Sequence, residues 1–218
     1  MITGELKSKV DKIWDTIWTG GISSPITVLE QITYLLFMKL LDDVEIKKEG
    51  NAAALGFPYQ SKVFKPGNYI VDDDPNKTIP YSELRWSNFK MKAPPEMFEL
   101  VRNYVFPFIK TANGESKETA FSKFMDEAVF LIPTAKVLEV CVATLSEIDT
   151  SNKDIMGDVY EYCLGKMSSA GQLGQFRTPR HIINLMVNLV EPTLQDTIME
   201  SKTQNLIQIN DCPLRGVA

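Results

Sequence analysis

The sequence predicts a mainly α fold, a helical bundle interrupted by one long irregular excursion. Three observations carry this. Apolar residues recur at helical spacing in one short segment after another. One segment, "PITVLEQITYLLFMKLLDD", is apolar nearly all round, as a helix at the centre of a core must be. No strand–helix alternation runs through the first 166 residues, so a parallel sheet is not expected there.

The elements follow in order. Leu6, Val10, Ile13, Trp14, Ile17 and Trp18 form one stripe, with Lys7, Lys9, Asp11, Lys12 and Asp15 opposite. "TGGISSP" breaks that helix; Ser24 is placed to cap the next one and Pro25 to open it. Val28, Leu29, Ile32, Leu35, Leu36, Phe37 and Leu40 make it the central helix. From residue 45 to 91 the periodicity fades into Gly, Pro, Asn and Asp, which predicts an excursion with strand fragments near residues 69–71. Tyr81 and Trp86 are expected to anchor it. Helices then resume. Pro94-Pro95 opens a stripe of Phe98, Val101, Val105 and Phe108, which Pro107 is expected to kink or end. Phe121, Phe124, Met125, Ala128 and Leu131 or Ile132 mark another helix. One more starts at Pro133, and the next carries Ile155, Val159, Tyr162 and Cys163.

Composition narrows the function. The 218 residues are 44% hydrophobic and 23% charged, an ordinary globular balance. A net charge of −5 argues against a protein that grips DNA backbone over its whole surface, though one local basic patch would suffice. Cys141, Cys163 and Cys212 form no C-x-x-C pair and no disulfide framework, which fits a reducing cytoplasm. The first residues are too charged for a signal peptide, and "YLLFM" is too short to span a membrane.

Several motifs are read structurally. Asp72, Asp74, Asn76 and Glu83 stand at positions one, three, five and twelve of a calcium loop, but Lys77 replaces its turn glycine, so an acidic turn is expected. His181, the one histidine, has no partner for zinc. Gly165-Lys166 lacks Walker A spacing.

"SSAGQLGQFRTPRHIINLMVNLVEP" is different. Thr178 and Pro179 explain a helix start, and Ile182, Ile183, Leu185, Met186, Leu189 and Val190 its apolar stripe. They do not explain Gly171, Gly174, Gln175 and Phe176. Glycines that let backbone approach closely, free amides at a positive dipole end, and Arg177 and Arg180 together suit an anionic group.

This stretch, with "KVDKIWDTIWTGGISSPITVLEQITYLLFMKLLDD" and "WSNFK", resembles modification (M) subunits of type I restriction–modification systems. The likeness runs over residues 1–198. It implies an adenine-N6 DNA methyltransferase that uses S-adenosylmethionine, with Gly174, Gln175, Phe176, Arg177, Thr178 and Pro179 on the cofactor side. Implied partners are a specificity (S) subunit, a second M subunit, a restriction (R) subunit and double-stranded DNA. The implied layout is a helical assembly and DNA-contact domain over 1–166. The first helix of an incomplete methyltransferase α/β domain follows over 167–198, then a tail outside the family over 199–218. Trp14, Trp18 and the excursion are candidate contact surfaces of the helical domain, against a plain core role for the two tryptophans. The family's glycine loop is absent, as is its Asn-Pro-Pro-aromatic motif; in "APPE", Ala93 and Glu96 supply neither the polar nor the aromatic end. The expectation is therefore a truncated subunit that transfers no methyl group alone. The competing reading is a non-enzymatic helical module for assembly with S and M subunits and DNA; a third is an unrelated helical protein whose loop binds an anion.

Overall fold

The computed structural model describes residues 4–71, 74, 76–111, 125, 127–150, 153–169, 180–191, 193, 197–199 and 206–208. The chain divides into two compact units, Met1–Gly174 and Gln175–Ala218.

The first unit is the helical one. Helix α1, Gly4–Thr19, buries Val10, Ile13, Trp14 and Ile17, while Trp18 stays 40% exposed. Trp14 is therefore a core residue and only Trp18 keeps a surface. Gly20 lets the end of α1 approach its neighbour, because a Cβ there would meet Val137 Cγ2 at 2.7 Å. Ser24 Oγ accepts from Thr27 N at the start of α2, Pro25–Leu55, with Pro25 in its first turn.

Helix α2 is longer than its apolar pattern predicts. It runs through residues assigned to the excursion and stops only at Gly56, whose φ of 71° supplies the left-handed cap. The apolar stripe fades after Leu41, but "EIKKEGNAAAL" is rich in Glu, Lys and Ala, which keep a helix going without it.

The excursion therefore begins at Gly56. It contains strand β1, Asn68–Ile70, paired antiparallel with β2, Thr78–Pro80, and then a 3-10 turn, Tyr81–Leu84, and helix α3, Trp86–Phe89. Asp74 Oδ1 accepts from Asn76 N, closing the acidic turn between the strands. Aromatic rings seat the excursion on the bundle. Phe64, Tyr69 and Tyr81 surround Phe108 at centroid distances of 5.5, 5.3 and 5.8 Å. Trp86 is buried and donates from Nε1 to Ser146 Oγ at 3.1 Å. Both predicted anchors hold.

Helix α4, Pro94–Leu100, passes through a π-turn, Val101–Val105, into α5, Phe106–Thr111. Pro107 does not end the helix. The wider turn, with Phe106 N donating to Val101 O, accommodates the ring and the donor it lacks. In the next segment Ile132 is the buried residue and Leu131 is 47% exposed. Most of the helix predicted there, including Phe121 and Phe124, lies outside the described residues. Helix α6, Ala135–Ser146, starts at a Thr134 cap rather than at Pro133, with Thr134 Oγ1 accepting from Val137 N. Its Val137, Leu138, Cys141, Val142 and Leu145 enter the core, and α7, Lys153–Ser169, adds Val159, Cys163 and Met167. Burial pushes the thiols of Cys141 and Cys163 up to about 12.

In the second unit, helix α8, Arg180–Val190, is followed by strand β3, Thr197–Met199, paired antiparallel with β4, Leu206–Gln208. No helix of the described residues is long and apolar enough to cross a membrane.

Candidate functional site

The six residues predicted to face a cofactor, Gly174, Gln175, Phe176, Arg177, Thr178 and Pro179, lie outside the described residues. The chain beyond them is helical from Arg180 onward. Leu185, Met186, Leu189 and Val190 on α8 are 53%, 56%, 76% and 73% exposed. These side chains form an apolar stripe at helical spacing, the kind that covers a sheet or another helix.

The helix leading toward the loop is pinned near its end. Lys166, in the last turn of α7, pairs with Asp11 of α1 at 2.6 Å and lies over the rings of Trp14 and Tyr162 at 5.4 and 5.8 Å. Tyr162 donates its hydroxyl to Asp11 at 2.7 Å. Burial raises the Asp11 carboxyl, but hydrogen bonds from Lys166, Tyr162 and Lys7 outweigh it and hold the group below its ordinary value. Gly165-Lys166 is thus part of a helix–helix clamp.

A second polar construction lies on α2, where sequence reasoning misses it. Asp42 and Glu45 are almost fully buried. Arg85 donates from Nε to Asp42 at 2.6 Å and from its two terminal nitrogens to Glu49 at 2.7 and 3.1 Å. Asp42 also accepts from Ser87 N at 2.7 Å. Glu45 accepts from Lys48, Tyr59 and Ser61. Burial raises its carboxyl, and these three donors more than reverse that, leaving it below the ordinary value. Lys39 is held by Asp43 and Thr150. A signal exists: Leu35, Lys39, Asp42, Glu45 and Glu49 succeed one another at spacings of three and four, so the charges continue the buried face.

Between the end of α2 and the excursion opens a cleft of about 790 Å³, lined by Glu49, Phe57, Tyr59, Lys65, Asn68 and Arg85 among others. Phe57 is 68% exposed. No group of three or more His, Cys, Asp or Glu among the described residues could hold a metal ion.

Comparison with known proteins identifies the frame in which these features stand. Residues 6–145 match the HsdM N-terminal domain, and residues 151–203 match N-6 DNA Methylase. The Escherichia coli type I restriction enzyme EcoEI methylase subunit is 27% identical over 188 residues. That alignment covers 83% of this chain and 35% of the relative, so the chain spans about a third of that protein's length. A chain solved in work on complex assembly and conformational transition of the type I R-M system shares the fold, with a TM-score of 0.59 at 20% identity. It is matched over 87% of this chain and 37% of its own length.

Proposed function

The chain belongs to the HsdM N-terminal domain family, and from that premise we propose that it serves as the helical part of a type I modification subunit. The complete subunit would methylate adenine N6 in DNA. The observation that carries this is the tandem order of the two matches, the helical domain over 6–145 and the opening of an N-6 DNA methylase over 151–203.

S-adenosylmethionine would supply the methyl group. The chemistry of the loop fits its amino-acid end. Arg177 offers positive charge, Thr178 a hydroxyl, and Gly174 a backbone that can approach closely, all ahead of helix α8, whose first amides have no partner within the helix. Phe176 offers an apolar face and Gln175 an amide, and Pro179 is a residue type suited to the start of a helix. In this reading the exposed stripe of α8 is the inner face of the methylase domain, where the rest of the domain would cover it. An S subunit, a second M subunit, an R subunit and duplex DNA are the partners, and sequence recognition belongs to the S subunit. The 218-residue chain alone transfers no methyl group.

A second reading, a helical assembly module without catalysis, draws on one observation: the Met1–Gly174 unit builds its core from its own side chains. Titration calorimetry with S-adenosylmethionine separates the two. Heat of binding that disappears in Thr178→Ala supports the cofactor wall. Absence of binding, with co-purification of an S subunit, moves the assignment to the module. Transfer of labelled methyl to DNA by this chain alone would contradict both.

A further inference from the structure

We propose that the cleft between the end of α2 and the excursion binds an unpaired nucleic-acid strand. Its bases stack on Phe57 and Tyr59, and its phosphates meet Lys62 and Lys65. The cleft alone carries this, and the cofactor loop plays no part in it.

The aromatic surface comes first. The chain buries Trp86, Phe89, Phe106 and Phe108, yet leaves Phe57 68% and Tyr59 37% exposed on the lining of one opening. Aromatic faces offered to water suit a ligand with a flat π-surface. A duplex hides its base faces in the stack; an unpaired strand presents them.

Charge selects the same ligand. Arg85 is shared between Glu49 on the lining and buried Asp42, and Glu45 behind it is tied to Lys48, Tyr59 and Ser61. Lys65 on the lining and the exposed Lys62, next to the lining residue Ser61, form no ion pair among the described residues. Asp42, Glu45 and Glu49 stand against Lys48, Lys62, Lys65 and Arg85, so the local surplus is a single positive charge carried by the exposed lysines, on a chain whose net charge is −5. A cationic groove with interleaved aromatics is the arrangement that tracks single strands. Gln60 and Asn68 add side-chain amides to the lining, groups that can both donate to and accept from a base edge.

The walls are held in advance. Tyr59 donates its hydroxyl to buried Glu45 at 2.7 Å, which fixes one end of its ring. Ser61 Oγ accepts from Val63 N and Phe64 N, shaping the turn between the two lysines. Phe64 carries Arg85 over its ring at 5.4 Å. A groove rigid before binding loses less freedom when a ligand enters.

Fluorescence anisotropy with the 218-residue chain and a labelled oligodeoxynucleotide of about a dozen nucleotides tests this. Saturable binding is expected, several-fold weaker for the same sequence as a duplex. Phe57→Ala should weaken single-strand binding about tenfold. Lys65→Ala should weaken it and reduce the slope of log K against log salt by about 0.7. Both side chains are exposed, so both variants should melt with the wild-type chain, and that comparison is run alongside. No binding, equal affinity for the duplex, or full affinity in Phe57→Ala would overturn the proposal.

Discussion

The two halves of helix α2 are held in place by opposite means. From Pro25 to Met38 the helix buries Val28, Leu29, Ile32, Leu35 and Leu36, and apolar burial fixes it. From Lys39 to Leu55 its buried residues are Lys39, Asp42 and Glu45, and what fixes it is a set of ion pairs and hydrogen bonds to Arg85, Ser87, Tyr59, Ser61 and Thr150. One helix therefore serves as the core of the bundle and as the polar rail on which the excursion rides. A buried charge is tolerated only when each of its lone pairs or protons finds a partner, and no buried side-chain nitrogen or oxygen among the described residues lacks one. The polar half thus demands geometry where the apolar half demands mainly volume, its buried Gln31 donating to Val129 O and accepting from Leu131 N.

Substitutions in the two halves sharpen that contrast. Leu35→Ala should cost the most, roughly 3–5 kcal/mol, because the site is fully buried and truncation leaves a cavity in the core. Urea unfolding followed by circular dichroism reads it, and a cost under about 1 kcal/mol would show that the apolar half is not the anchor. Arg85→Ala should cost less, about 2–3 kcal/mol, since it strands the Asp42 carboxylate but removes a side chain that is itself 17% exposed. Its signature is regional: amide exchange should speed up in residues 57–89 more than in α6. Uniform exchange across both would argue that the excursion is held by its aromatic contacts with Phe108 instead.

Glu45→Gln should have the smallest effect of the three, and that effect should be largest at neutral pH and fade in acid. The folded carboxyl lies below its ordinary value of 4.5. Its ionised form therefore adds stability that is whole above about pH 4.5 and is lost as the pH falls through the lower folded value. The wild-type unfolding midpoint should drop across that window, and the variant should drop less steeply. Parallel curves would mean that Glu45 contributes nothing to the acid sensitivity.

The same contrast explains how much of the molecule is legible in its sequence. The stripe on α1, the Ser24-Pro25 start and the apolar half of α2 are legible because periodicity and caps are local signals. So are the anchors Tyr81 and Trp86, large aromatics in an otherwise polar run. The polar half of α2 passes for excursion because charges look like surface until a partner far along the chain is known; Arg85 lies 43 residues from Asp42. The π-turn before Pro107 escapes for a related reason: a proline announces disruption but not the form the helix uses to absorb it. The cofactor side proposed for Gly174 to Pro179 rests on residue chemistry and family likeness, and these positions lie outside the described residues. On α8 the periodic stripe is visible, but periodicity states which face is apolar and not what covers it.

Cys141 and Cys163 sit at 0% exposure on α6 and α7, with thiols raised to about 12. At neutral pH almost none of either is thiolate, and no reagent can reach them while the bundle is shut. The two sulfurs are therefore a built-in clock. An alkylating probe will mark them only when α6 and α7 part from the core, so their labelling rate counts openings of the helical unit, one residue at a time, without any added dye or tag.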